Sequence, residues 1–328
     1  MNHTTKRERD IAIDIVKFMA VFLIINSHAD IMYPKLRILA TGGAIGDCLF
    51  LFCSGFTLFM GAQASFVNYY KRRIARIYPS VFTSVAFIHI VSQNPSIEWS
   101  ELVCAKPFIV AIMVYYIFLY FIRKYAINKI SIIFAVTIVI TLLTYIGFPY
   151  KYETGSKGLY GITSYYRWIP YFGAMLLGAY TGIKRKLLRY NGWMDLVKLI
   201  TCLILFYGIQ FAAKKYPLVA PWQIVTIAPL MGIVMYFYKW CNNGFFRRIY
   251  ESKAGKAVIL TVGGLCLESY LIQYALFTNK LNHLWPLNLL IITLLILVCS
   301  YIVRCAARLF AQTFRTEDYE LKKIISLH

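Results

Sequence analysis

Ten apolar runs alternate with short polar or charged stretches along the chain: 11–28, 46–62, 77–93, 103–122, 130–148, 166–183, 195–213, 218–238, 257–278 and 285–305. Each is close to the roughly 20 residues that a helix rising about 1.5 Å per residue needs to cross a bilayer. The pattern predicts an all-α polytopic membrane bundle of about ten transmembrane helices. It reads as a single domain over residues 1–328, with tails at 1–10 and 309–328. The third and eighth runs are the weakest, because Pro79, Pro95, Pro217, Pro221 and Pro229 crowd their ends or interior. Pro79 is expected to start the third span, and Pro229 to kink the eighth.

The first run is not uniformly apolar. At about 100° per residue, Asp10, Asp14, Lys17, Val21, Ile24 and His28 fall on one line of a helix. Lys17 and His28 would then stand about 16 Å apart, one near each end of the span. Ionisable groups within a bilayer helix are costly, so by default they face the bundle interior and mark a site. The alternative is that Asp14 and Lys17, at i and i+3, neutralise one another while His28 reaches interfacial water. The helix by itself leaves both readings open.

Composition narrows the class. Of 328 residues 59% are hydrophobic and the mean hydropathy is +0.61, far above a soluble globular average. The net charge of +21 cannot dissolve in lipid and must lie in loops and ends, where it sets the orientation. With ten spans, 24 of the 35 Lys and Arg fall on one side, which predicts both termini in the cytosol. Eight cysteines are scattered without a CxxC or a Cys/His cluster, so neither a disulfide framework nor a metal site is indicated. Lys6, Arg7 and Arg9 precede an apolar run too long for a signal peptide, which reads as a retained first span.

Other runs carry candidate chemistry. In GGAIGDCLFLFCSGF from Gly42, Asp47 is expected to act as a cap or first-turn acid and to reach His28, holding its imidazole in one tautomer. Ser54 and Gly55 permit close helix contact. The cluster KRRIARIYP contains Arg72, Arg73 and Arg76; Arg offers phosphate a bidentate fork, although basic loops beside spans are usually topogenic. Arg167 opens the sixth run, either as a snorkelling anchor or as an inward group, ahead of a packing ladder of Gly173, Gly178 and Gly182. Glu268 lies deep in the ninth run and needs a buried partner, for which Lys17 or an Arg is the candidate. His89, in the third span, lies on no polar stripe and is expected to be replaceable. The outside loop 149–167 mixes Tyr, Gly, Ser, Thr, Lys and Glu, a composition shared by sugar-contacting loops and ordinary solvated ones.

In their order and spacing, Asp14-x-x-Lys17 with His28 after an apolar run, then GDCLFLFCSGF, KRRIARIYP, YRWIPYFGAMLLGAYTG and LESYLIQY resemble the acyltransferase 3 family of membrane acyltransferases. The resemblance covers nearly the whole chain. It implies a fold of about ten membrane helices and transfer of an acyl group, usually acetyl from acetyl-coenzyme A, to sugars of bacterial surface glycans. By the same resemblance His28 matches the family's essential histidine, Lys17 stands where Arg is more usual, and Arg73 and Arg76 match its RxxR motif. Gln273 stands where many relatives have His. Some relatives add a soluble hydrolase-like domain; none is seen here, so the chemistry is expected within the bundle.

The function expected is therefore that of an O-acyltransferase of the bacterial inner membrane. His28 serves as general base, or as carrier in an acyl-histidine relay, and Lys17, Asp14, Asp47, Ser54, Arg167 and Glu268 give catalytic or polar support. Acyl-coenzyme A, a glycan or lipid-linked sugar acceptor and membrane lipids are the expected partners; a permanently bound cofactor and nucleic acid are not. The rival class is a transporter or flippase of a lipid-linked sugar or small anion, since ten spans with intramembrane charges also describe carriers. The topology has a direct test. In intact cells an impermeant thiol reagent is expected to label Ser156→Cys and not Asn191→Cys, and equal labelling of both would remove the ten-span arrangement.

Overall fold

A computed structural model describes residues 9–93, 98, 101–102, 106–147 and 166–327. Among these the regular elements are helices, and no strand occurs. In chain order they are α1 (Ile11–His28), α2 (Gly43–Met60), α3 (Phe66–Ser92), α4 (Pro107–Tyr125), α5 (Ile130–Gly147), α6 (Trp168–Lys184), α7 (Gly192–Lys215), α8 (Ile227–Cys241), α9 (Gly244–Glu251), α10 (Lys253–Gly264), α11 (Cys266–Leu276), α12 (Leu287–Thr313) and α13 (Leu321–Ile324). Eight helical segments are long and apolar enough to cross a membrane, and the α10–α11 pair, bent by 69°, makes a ninth. The remaining predicted run is α6, with 17 residues. Most of the loop at 149–167 lies outside the described residues.

Several boundaries differ from the sequence expectation for identifiable reasons. Helix α2 starts at Gly43 because Gly42, at φ +102°, turns the chain in the left-handed region. Asp47 is therefore the fifth residue of α2 and does not cap it. Pro79 does not start the third span: α3 begins at Phe66, behind an N-cap bond from Asn68 N–H to Ser65 Oγ, and runs through Pro79 to Ser92. The carbonyl that loses its partner to the proline ring belongs to Ala75, which lines a cavity. Pro229 does not kink the eighth span. It lies in the first turn of α8, where a missing N–H costs little, after a 3-10 stretch at Pro217–Thr226. The ninth run is not one helix but breaks at Leu265. Nor does the last span stop at residue 305: α12 continues to Thr313, and the following chain folds back on it through bonds from Tyr301 Oη to the Ile325 carbonyl (2.6 Å) and from Arg308 Nη1 to the Ile324 carbonyl (3.1 Å).

Helix α2 is central, packing most extensively on α6 and next on α1. Two glycines set that crossing. A Cβ on Gly55 would stand 1.9 Å from the Met175 carbonyl oxygen, and one on Gly178 would stand 2.0 Å from that of Phe52. The backbones touch reciprocally, as small residues allow in membrane helices. Around this contact lie fully buried Phe52, Leu49, Leu51, Met175, Leu176 and Tyr238. Helices α5, α7 and α12 are peripheral and carry exposed Ile, Leu and Val along their lengths, as expected of surfaces that meet lipid tails.

Replacing Gly178 with Ala forces backbone apart, whereas a Cβ on Gly173 meets nothing closer than Phe134 at 3.7 Å. In detergent, Gly178→Ala is expected to lower the melting temperature through an overpacking cost of roughly 1–3 kcal/mol, with Gly173→Ala near wild type. Equal melting of the two would show that the α2–α6 crossing adjusts freely.

Candidate active site

At the end of the bundle where α1 begins, a cavity of about 540 Å³ opens between α1, α3, α4, the α10–α11 break and α12. Six cationic side chains line it, Arg9, Lys17, Arg73, Arg76, Arg304 and Arg308, against the carboxylates of Asp14 and Glu268. Each gets there for a local reason. Continuation of α3 through Pro79 brings Arg73, Arg76 and Ser80 onto one face. Gly263 lets α10 approach α1 so closely that a Cβ there would lie 3.3 Å from Lys17 Cβ. Gly264 leaves room for Arg304, whose Nη1 would be 2.6 Å from an added Cβ. The break at Leu265 then swings α11 so that Glu268, in its first turn, faces the cavity.

The expected neutralisation of Asp14 by Lys17 does not occur. Asp14 accepts from Arg9 Nε at 2.5 Å, Arg9 Nη2 at 3.0 Å and Tyr250 Oη at 2.9 Å. The Asp14 hydrogen bond holds the Arg9 guanidinium above its ordinary pKa. Lys17 is left without an ion pair or hydrogen bond among the described residues and lines the cavity. Glu268 does not pair with Lys17 either. Its Oε1 accepts from Ser80 Oγ at 2.7 Å, while Oε2 is buried and has no hydrogen-bond partner among the described residues. Such an orphan is costly in a low-dielectric setting and calls for a specific explanation. Arg73 lies over Tyr69 and Tyr116, 5.5 and 5.9 Å from the ring centroids, with its Nε buried and unpartnered. Arg72 turns outward, bonds the Asn68 carbonyl at 3.1 Å and does not line the cavity. One residue before Arg73, it lies about 100° around the helix.

His28 stands apart from the cavity, at the other end of α1. Its Nδ1 is 2.8 Å from Gln273 Nε2 and its ring is 4.8 Å from that of Tyr274. Gln273 is fully buried, and its Oε1 has no hydrogen-bond partner among the described residues. Tyr274 is covered by the Lys106 ammonium, 3.8 Å from its centroid. Asp47 does not hold the imidazole: no hydrogen bond joins Asp47 to His28 among the described residues, and Gln273 takes the position. Arg167 has a buried, unpartnered Nε and is an electrostatic neighbour of both Asp47 and His28. Ser54 bonds Tyr116 Oη at 3.2 Å, which ties α2 to α4 and leaves it a packing role. His89 Nε2 meets Glu101 Oε2 at 2.7 Å, away from the cavity. Phe50 and Phe108, 6.0 Å apart, line the cavity, and Phe108 meets Tyr270 at 5.3 Å.

Of the residues singled out in the sequence, Lys17, Arg73, Arg76 and Glu268 line the cavity, and His28 lies outside it at the other end of α1. Sequence reasoning missed Arg304 and Arg308, whose i, i+4 spacing near the end of an apolar run was an available signal. Lys106 was missed as well; a lysine directly before Pro107 and an apolar run looks like any loop charge.

Residues 10–305 match the family model Acyl_transf_3, described as an acyltransferase domain, so the chain belongs to the acyltransferase 3 family of membrane acyltransferases. No curated protein and no solved structure matches the chain.

Lys106 offers a pH test. It caps α4 outside the spanning helix, and burial pushes its ammonium down to about 8. Its charge is therefore present below that pH and lost above it. Because that ammonium acts on His28, acyl transfer is expected to change on the alkaline side with an apparent pKa near 8. Lys106→Arg, which stays charged, is expected to extend the plateau upward. An unshifted limb in that variant would separate the Lys106 proton from activity.

Proposed function

We propose that the protein transfers an acyl group, most simply acetyl, from acyl-coenzyme A to a hydroxyl of a surface glycan or lipid-linked sugar, across the inner membrane of a bacterium. The observation that carries this reading is the cavity of six cations against two carboxylates, running into the bundle beside a broken helix whose other end holds the His28–Gln273 pair. Phosphates suit the guanidinium-lined mouth. The donor's flexible arm suits the inner part of the cavity, lined by Phe50, Phe108 and Leu267. The excess of Lys and Arg at that end supports a cytosolic mouth and cytosolic termini, with His28 toward the outer face.

In this reading the acceptor hydroxyl oxygen attacks the thioester carbonyl, the carbon–sulfur bond breaks as the ester forms, and the hydroxyl proton passes through His28 to the departing sulfur. Gln273 decides whether His28 can take that proton. Its amide nitrogen donates to Nδ1, an arrangement that keeps the ring proton on Nε2. A basic Nε2 needs the amide turned by 180°, so that Oε1 accepts from Nδ1–H. Lys17, without an ion pair or hydrogen bond among the described residues, is suited to steady negative charge on the donor, and Asp14 to holding Arg9 at the mouth. A broken helix beside a charged cavity also suits a carrier. Membership in an acyltransferase family favours donor cleavage.

The test is turnover of acetyl-coenzyme A with a glycan acceptor in liposomes. His28→Ala is expected to lower the rate by about 10²–10⁴-fold with normal insertion. Gln273→Glu, a carboxylate that only accepts, is expected to keep activity and to move the acidic limb of the pH profile upward, because it stabilises imidazolium. Replacing Arg73 and Arg76 together with Gln is expected to raise the donor KM more than it changes acceptor use. Near-wild-type turnover in His28→Ala would remove the base assignment, and unchanged donor kinetics in the Arg double variant would remove the donor site.

A further inference from the structure

A second, smaller cavity of about 160 Å³ lies at the same end of the bundle, where the start of α1 meets the chain following α6 and the turn between α8 and α9. Arg9, Arg185 and Arg247 line it, with Asp10 as its one acidic side chain. Neither the Arg185 nor the Arg247 guanidinium makes an ion pair or hydrogen bond among the described residues, although each stands within a wall of the same recess. Asp10 is already engaged, accepting from Ile13 N–H at 3.3 Å and from Tyr238 Oη at 3.0 Å. Burial also pushes its carboxyl above the usual range, which weakens the one counter-charge that lines the recess among the described residues. Arg185 acts on Asp10 across the recess and Arg247 stands exposed at its wall, so three guanidiniums face one engaged carboxylate, a setting that suits an anion with several oxygens such as phosphate.

Arg9 identifies which phosphate. It lines this recess and the large cavity alike, and its guanidinium is pinned by Asp14 where the two meet. The two cavities therefore share a wall at Arg9, which sets the second cluster beside the large cavity. Coenzyme A carries phosphates at two separated places, the diphosphate that begins its flexible arm and the phosphate on its ribose. We propose that the recess of Arg9, Arg185 and Arg247 is a second phosphate site of the acyl donor, gripping the ribose phosphate while Arg73, Arg76, Arg304 and Arg308 face the diphosphate. This rests on the acyl-coenzyme A reading above.

The test compares acetyl-coenzyme A with its analogue lacking the ribose phosphate, in the full-length protein in liposomes of zwitterionic lipid. The wild type is expected to bind the complete donor about 10- to 100-fold more tightly. Replacing Arg185 and Arg247 with Gln is expected to erase that preference while leaving KM and turnover for the truncated donor unchanged, which also shows that the variant is folded. Replacement of both by Lys is expected to restore part of it. A double Gln variant that keeps the wild-type preference overturns the proposal. So does one that loses affinity for both donors equally. If the preference is unaltered but the wild type alone responds to added anionic lipid, the recess belongs to a lipid headgroup and the proposal fails. A wild type that binds neither donor would instead overturn the acyl-coenzyme A reading itself.

Discussion

A charge carried into an apolar bundle has to be paired, hydrated or neutralised, and the arrangement around α1 follows from how its two carboxylates meet that demand. Asp10 caps the helix and takes the hydroxyl of buried Tyr238. Asp14, one turn later, takes Arg9 from before the helix and Tyr250 from α9. These contacts tie the start of α1 to α8 and α9 and consume both acids. Lys17, one turn further on, then has no ion-pair partner among the described residues, and it lines the cavity. The cavity thus owes its cationic character to a carboxylate spent elsewhere as much as to the arginines that line it.

Much of this was legible in the sequence because lipid imposes a simple rule on it. Runs of about 20 apolar residues are helices where no water can serve the backbone, and charge in such a run has to face inward. The stripe on α1, the pairing of Arg73 with Arg76 and the buried position of Glu268 all follow from that rule and a period of 3.6. The rule does not say which partner a charge will choose. Asp14 has Lys17 three residues away yet binds Arg9 and a tyrosine 236 positions distant. Asp47 looks like a cap from its place in the run, but a single left-handed Gly42 starts the helix a turn earlier and rotates that expectation away.

The broken span shows the same limit from another side. Nothing in the apolar character of 257–278 separates a straight helix from a bent one. Gly263 and Gly264 are explained as well by close packing against α1 as by a break. The bend is settled by tertiary demands, the approach of α1 at Gly263 and the bulk of Arg304 at Gly264. It also accounts in part for the buried Glu268. By starting a new helix at Cys266, the break places that carboxylate in a first turn, where unpaired N–H groups and the positive end of the helix dipole favour negative charge.

Helix α11 is, in mechanical terms, a short rod hinged at Leu265. It carries Glu268 beside the cationic cavity and, five residues or about 7.5 Å further on, Gln273 against His28. A rod is not compressible on the scale of a hydrogen bond, so a tilt that relieves the unpartnered oxygen of Glu268 also moves the amide on the imidazole. Were α11 to tilt as one body, the filling of the cavity and the hydrogen bond on His28 would move together, and linkage would make that coupling reciprocal.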